Sequence, residues 1–161
     1  MNKDLIVFAL YWLPEAYLLI LTALILLGIK INLYRVLLSG LCLAIITFIS
    51  RQFLFNLGLH TPVILISLII ILSIGFKLRV STAITGCFLS FFLLLMGESF
   101  LMGPSMNIFK ITFKEAINNP WLHIAFGWVS EGFLIIAILI CKIGKVTLIK
   151  APESIENDGE L

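Results

Sequence analysis

Residues 6–30 read IVFALYWLPEAYLLILTALILLGIK, and this stretch decides the fold class. From Ile6 to Ile29 the one charged side chain is Glu15, and Lys30 ends the run. A helix crosses the hydrocarbon core of a bilayer with about 20 consecutive, mostly apolar residues. This run is long enough to do so. It does not read as a signal peptide. Asp4 offsets Lys3, no small-x-small site follows, and the apolar run is too long for an h-region.

Working outward, four more runs of this kind follow. One extends from Val36 or Leu37 to about Phe55 and contains Arg51. The next goes from His60 to Phe76 and stops at Lys77. A fourth goes from Val80 to about Met102 and contains Glu98. The last goes from Trp121 to Cys141, contains Glu131 and stops at Lys142. The expected architecture is an all-α integral membrane protein, a bundle of five transmembrane helices at about 6–29, 36–55, 60–76, 80–102 and 121–141. They form one membrane domain over residues 1–145. Residues 146–161, with Glu153, Glu156, Asp158 and Glu160, are expected to be a cytoplasmic, acidic, disordered tail.

Composition agrees. Of 161 residues, 61% are hydrophobic and 12% charged, against roughly 45–50% and about 25% in soluble domains. Mean hydropathy is +1.15. So few charges cannot cover the surface of a soluble globular enzyme of this size. A disordered chain and a disulfide scaffold are excluded by the same figures. The net charge of +2 is too small for a nucleic-acid-binding surface.

Basic residues orient the bundle. Lys30, Arg35, Lys77, Arg79, Lys142, Lys145 and Lys150 fall on one side, and Lys3, Arg51, Lys110 and Lys114 on the other. The first side is expected to be cytoplasmic, which puts the N-terminus outside and the C-terminus inside. Tyr11, Trp12, Tyr17, Trp121 and Trp128 suit an outer aromatic belt. In the longest connector, Phe109, Phe113, Ala116 and Ile117 recur at helical spacing, with Lys110, Lys114 and Glu115 off the stripe. That pattern predicts a short amphipathic helix on the outer leaflet. Asn119 and Pro120 then suit the cap and first residue of the fifth span.

Cys42, Cys87 and Cys141 show no metal-type spacing and read as small packing residues. Gly40, Gly75, Gly86 and Gly97 read as close helix contacts. No cofactor and no metal is expected.

Ionisable groups inside apolar spans cost at least a few kcal/mol and need a reason. Six stand out: Glu15, Arg51, His60, Glu98, His123 and Glu131. At about 1.5 Å per residue, the first five map to the outer leaflet, one from each span, and Glu131 comes near the midplane. The five would line an outward-facing polar vestibule. Arg51 is expected to pair with Glu98 or Glu15. Glu131, beside Gly127, Ser130 and Gly132, is expected to hydrogen-bond to another helix. The bland alternative is that all six are structural glue or interfacial anchors.

Catalysis is not expected. Cys87 falls in the cytoplasmic half and His60 at the outer face, roughly 20 Å apart along the normal. A nucleophile and its base need hydrogen-bond reach. HExxH, GxSxG and glycine-rich phosphate loops are absent.

The stretch from Arg51 through Gly58-Leu59-His60-Thr61 into the apolar run Val63 to Ile74 resembles the N-terminal membrane region of Firmicutes sensor histidine kinases with GHKL-type ATPase domains. The basic pair after the third span, Gly97-Glu98, Asn119-Pro120-Trp121-Leu122 and Phe126-Gly127 are similar too. The likeness covers about residues 30 to 143. It implies a sensory module of the bacterial plasma membrane with a cytoplasmic C-terminus. The chain ends about 20 residues after Lys142, so the kinase domains are expected to be missing.

The leading expectation is a non-catalytic sensory or regulatory module that binds a small ligand or a membrane partner through the polar cluster. Its partners would be the lipid bilayer and another membrane protein or a second copy of itself, with no nucleic acid. The alternative is a small transporter, or the substrate-binding subunit of one, using Glu131.

Overall fold

The structure, a computed structural model, describes residues 3–54 and 59–144. The tail at 146–161, Lys145, Lys150 and the Phe55 to Gly58 part of the kinase-like stretch lie outside the described residues. Every element among the described residues is helical.

Helix α1 is Lys3–Leu26, 24 residues. Helix α2 is Leu33–Leu54, and α3 is His60–Gly75, 16 residues. Helix α4 is Val80–Phe109, 30 residues. A short α5, Phe113–Asn118, leads into α6, Pro120–Gly144, 25 residues. Helices α1, α2, α4 and α6 are long and apolar enough to cross a membrane, while α3 is apolar but shorter.

These helices are apolar on all sides, the mark of a helix solvated by lipid or protein throughout. Along α2, Leu37, Leu41, Ile45 and Ile49 are exposed, while Val36, Leu43 and Ala44 on the other face are buried. Helix α1 lies at the centre and packs against α2, α4 and α6, and α3 bridges α2 and α4. The core forms where Leu19, Ile20, Ala23 and Leu24 of α1 meet Leu43, Leu68, Leu72, Cys87 and Leu134. Small residues allow the tightest approaches. Gly40 receives the ring of Tyr17, and Gly97 sits directly against the backbone carbonyl of Ser130. Helix α1 ends in a turn at Gly28, whose φ of 67° lies in the left-handed region that favours glycine.

Among the described residues, two helices contain a π-turn, Phe8–Trp12 in α1 and Glu98–Met102 in α4. Each is followed by one residue and then a proline, Pro14 and Pro104. A proline ring inside an α-helix clashes with the carbonyl four residues earlier and removes a donor. Widening the preceding turn by one residue relieves both problems and lets the helix continue.

Some boundaries differ from the sequence reading. The fourth helix does not end near Met102. Its π-turn carries it through Pro104 to Phe109. Phe109 therefore belongs to α4, and the amphipathic helix shrinks to Phe113–Asn118. Lys110 makes the corner between them with a left-handed backbone, φ 54°. Helix α5 starts with a capping box. Thr112 Oγ1 accepts from the Glu115 N–H at 3.3 Å, and the Thr112 N–H donates to Glu115 Oε2 at 2.8 Å. Asn119 caps α6 as its sequence predicts, accepting from the Trp121 N–H at 3.1 Å.

Candidate functional site

The start of α1, the end of α2, the start of α3, the end part of α4, the short α5 and the start of α6 surround one cavity of about 960 Å3. Glu15, Arg51, His60, Glu98 and His123 all line it, one from each helix. Glu131 does not line it.

Arg51 lies in the last turn of α2, where a cation meets the negative end of the helix dipole. Its Nη2 donates to both carboxyl oxygens of Glu15, each at 3.1 Å. Of the two partners foreseen for Arg51, the structure selects Glu15. The pair is well enclosed, with side-chain exposures of 18% for Arg51 and 7% for Glu15. The guanidinium also sits over two aromatic rings, 5.2 Å from the Trp12 ring centre and 5.8 Å from that of Tyr11. Stacking on a ring face suits the planar, weakly hydrated guanidinium better than it would suit an ammonium.

Tyr11 and Trp12 are therefore not interfacial belt residues, as their apolar bodies and polar tips suggest. Both are buried, because the π-turn at Phe8–Trp12 directs them inward against Arg51. A signal for this role exists in the sequence: Pro14 two residues later forces the irregular turn that re-aims them. Trp121 and Trp128 do remain exposed. Trp128 donates from Nε1 to the Leu10 carbonyl at 2.9 Å and fastens α6 to α1.

His123 completes the aromatic wall, with its ring centre 5.5 Å from Tyr11 and 6.3 Å from Trp12. His60 opens α3, and Thr61 Oγ1 lies 3.3 Å from its Nε2. Glu98 begins the second π-turn and is exposed on the cavity. It is near enough to both Glu15 and Arg51 to feel their charges. Among the described residues, no ion pair to Glu98 forms within 4 Å; the ion pair found there is Arg51–Glu15. Away from these groups the wall is mostly apolar, built from residues such as Ile64, Phe91, Leu94, Met106 and Phe126, with Thr47, Gln52 and Asn118 as neutral polar members.

Glu131 departs from its expected hydrogen bond. It is fully buried, and neither carboxyl oxygen has a hydrogen-bond partner among the described residues. Its neighbours do approach closely. Gly97 of α4 touches the Ser130 carbonyl, Gly127 is filled by the Tyr11 ring, and a Cβ on Gly132 would meet Leu101 at 2.9 Å. The regular helix is interrupted at Glu131, between Ser130 and Gly132.

Cys87 is buried away from the cavity, with Sγ 3.5 Å from the Leu65 carbonyl. Among the described residues, no three of His, Cys, Asp and Glu converge to hold a metal ion. Comparison with family models, with curated proteins and with solved structures finds no match.

Proposed function

We propose that this chain is a non-catalytic sensory or regulatory module of a bacterial plasma membrane, and that it binds a ligand or membrane partner in the polar cavity. One observation carries the reading. Five polar residues, each from a different helix, line a single cavity that holds an enclosed ion pair. A ligand there touches all five long helices at once. Small changes in their packing are then felt at the far ends, where Lys30, Arg35, Lys77, Arg79 and Lys142 lie. All five helices, α3 included, cross the membrane in this reading. The excess of basic residues at those far ends places them in the cytoplasm and the cavity outside. The resemblance to kinase sensor regions supports the same layout.

The alternative is a small transporter. Its supporting observation is Glu131, a buried carboxyl without a hydrogen-bond partner among the described residues, near the middle of α6. Such groups mark ion and proton pathways in membrane proteins.

One experiment separates the two. Spin labels on the α1–α2 and α3–α4 connections report distances in lipid nanodiscs while small molecules are screened for thermal stabilisation. A sensor gives a stabilising ligand that also changes the label distances, and Glu98→Gln weakens both effects. A carrier instead moves that ligand across liposome membranes, and Glu131→Gln stops the flux. Ligands that bind wild type and Glu98→Gln alike, without any distance change, would remove the basis for the sensory reading.

A further inference from the structure

The charges and walls of the cavity define a ligand class, granted that the cavity is a ligand site as proposed above. Among the described residues, the charged side chains of the lining are Lys3, Asp4, Glu15, Arg51 and Glu98, and the two histidines join them. Lys3 and Asp4 are neighbours in the exposed first turn of α1 and offset one another. Inside, one guanidinium faces two carboxylates. Arg51 is committed to Glu15 through both carboxyl oxygens and is stacked on Trp12 and Tyr11. That leaves Glu98, which faces the cavity without an ion-pair partner among the described residues. Glu98 is exposed on the cavity wall and its charge is left uncompensated there, so a cation that enters makes a direct charge contact with it. The remaining wall is largely apolar and aromatic, with Phe91 and Phe126 among its residues, and Thr47, Gln52, Thr61 and Asn118 add neutral polar groups. Ring faces attract cations as well as apolar groups. The volume of about 960 Å3 is at the upper end of the range for drug-sized ligands, about 300–1,000 Å3.

We infer that the cavity takes an organic cation with an apolar body, whose positive head meets Glu98 and whose body lies along the Phe91 and Phe126 wall. Anions of the same shape are repelled by Glu98 and meet an Arg51 whose charge is already paired with Glu15. The same chemistry exists in the ammonium headgroup of a lipid and in a free amphipathic amine or quaternary ammonium compound.

The test compares two ions of matched shape and opposite charge, tetraphenylphosphonium and tetraphenylborate. Binding to the full chain is measured in nanodiscs, with lipid-only discs as the blank. Saturable binding of the phosphonium but not the borate is expected. Glu98→Gln should weaken it by about tenfold or more, the loss of one close charge contact, with the unfolding temperature unchanged. If that variant does not insert, the wild type still decides. The phosphonium should shield Glu98 from carbodiimide labelling, and the borate should not. Discs of phosphatidylglycerol and of phosphatidylethanolamine distinguish the two sources. Weaker phosphonium binding in the ethanolamine lipid identifies a headgroup as the native occupant, and equal binding identifies a free cation. Preference for the borate would overturn the charge assignment and leave the cavity as a ligand site. Absence of saturable binding by either ion overturns it as well, while the label-distance experiment above judges the sensory reading on separate grounds.

Discussion

Arg51 shows how strongly one residue can tie sequence to tertiary structure. Removing a single partner from a buried ion pair strands the other charge and costs about 3–5 kcal/mol. Arg51→Gln alone is therefore expected to destabilise the protein by about that amount. Combining it with Glu15→Gln should recover most of the loss, because two neutral amides can hydrogen-bond across the same gap. Unfolding of the two single variants and the double variant in detergent micelles gives the coupling. An additive double variant would mean that the pair does not hold in solution. Arg51→Lys is not a conservative change here. An ammonium loses the flat stacking on Trp12 and Tyr11. The existence of this pair is legible from sequence, since a lone Arg and a lone Glu in apolar spans must be neutralised. The choice of Glu15 over Glu98 is not. It depends on which way the π-turns rotate the side chains, and that follows from packing rather than from hydropathy.

At the scale of the element, apolar runs and the charges that end them locate the long helices to within a few residues, with α4 the exception at its far end. Lipid-facing and core positions both demand apolar side chains, so the runs are continuous. For the same reason the pattern carries little information on which face of a helix meets which neighbour, and it leaves the interruption at Glu131 unmarked. Glycines report that instead. A Cβ on Gly97 would overlap the Ser130 carbonyl, which is backbone and cannot move aside. Overpacking of this sort costs about 1–3 kcal/mol or more. Gly97→Ala should therefore destabilise the α4–α6 interface, although alanine is the better helix former by about 1 kcal/mol. At Gly86 the nearest atom is the tip of the Leu27 side chain, at 2.6 Å. That side chain can rotate, so Gly86→Ala should cost clearly less. Unfolding temperatures of the two variants check the order, and equal losses would argue against the close contact at Gly97. Helix α5 offers a pH test. The backbone and side-chain hydrogen bonds from Thr112 hold the Glu115 carboxyl below the usual carboxylate range. A depressed value means that the cap is intact at neutral pH and is lost only as pH falls through that lowered value. The Thr112 amide resonance should accordingly titrate with a midpoint lower than that of an ordinary glutamate. A midpoint at the ordinary position would show the capping box to be absent.

For the whole molecule, orientation in the membrane is the property most directly open to measurement. With Cys42, Cys87 and Cys141 replaced by alanine, a single cysteine at Lys114 should react with an impermeant maleimide on intact bacterial cells. One at Arg35 should react only after the membrane is permeabilised. The reverse pattern would invert the proposed topology and place the cavity in the cytoplasm. The five long helices are unequal in a way that bears on this setting. Helix α3 has 16 residues and rises about 24 Å, whereas a typical hydrocarbon core is about 30 Å thick. Its neighbour α4 has 30 residues and rises about 45 Å. The bundle thus presents lipid with a short side and a tall side. In the proposed five-span arrangement, acyl chains next to α3 must compress or be replaced by another protein surface, and each ångström of mismatch costs a fraction of a kcal/mol. With α3 spanning the membrane as proposed, a partner helix that shields it from lipid would be held there by the elasticity of the membrane itself.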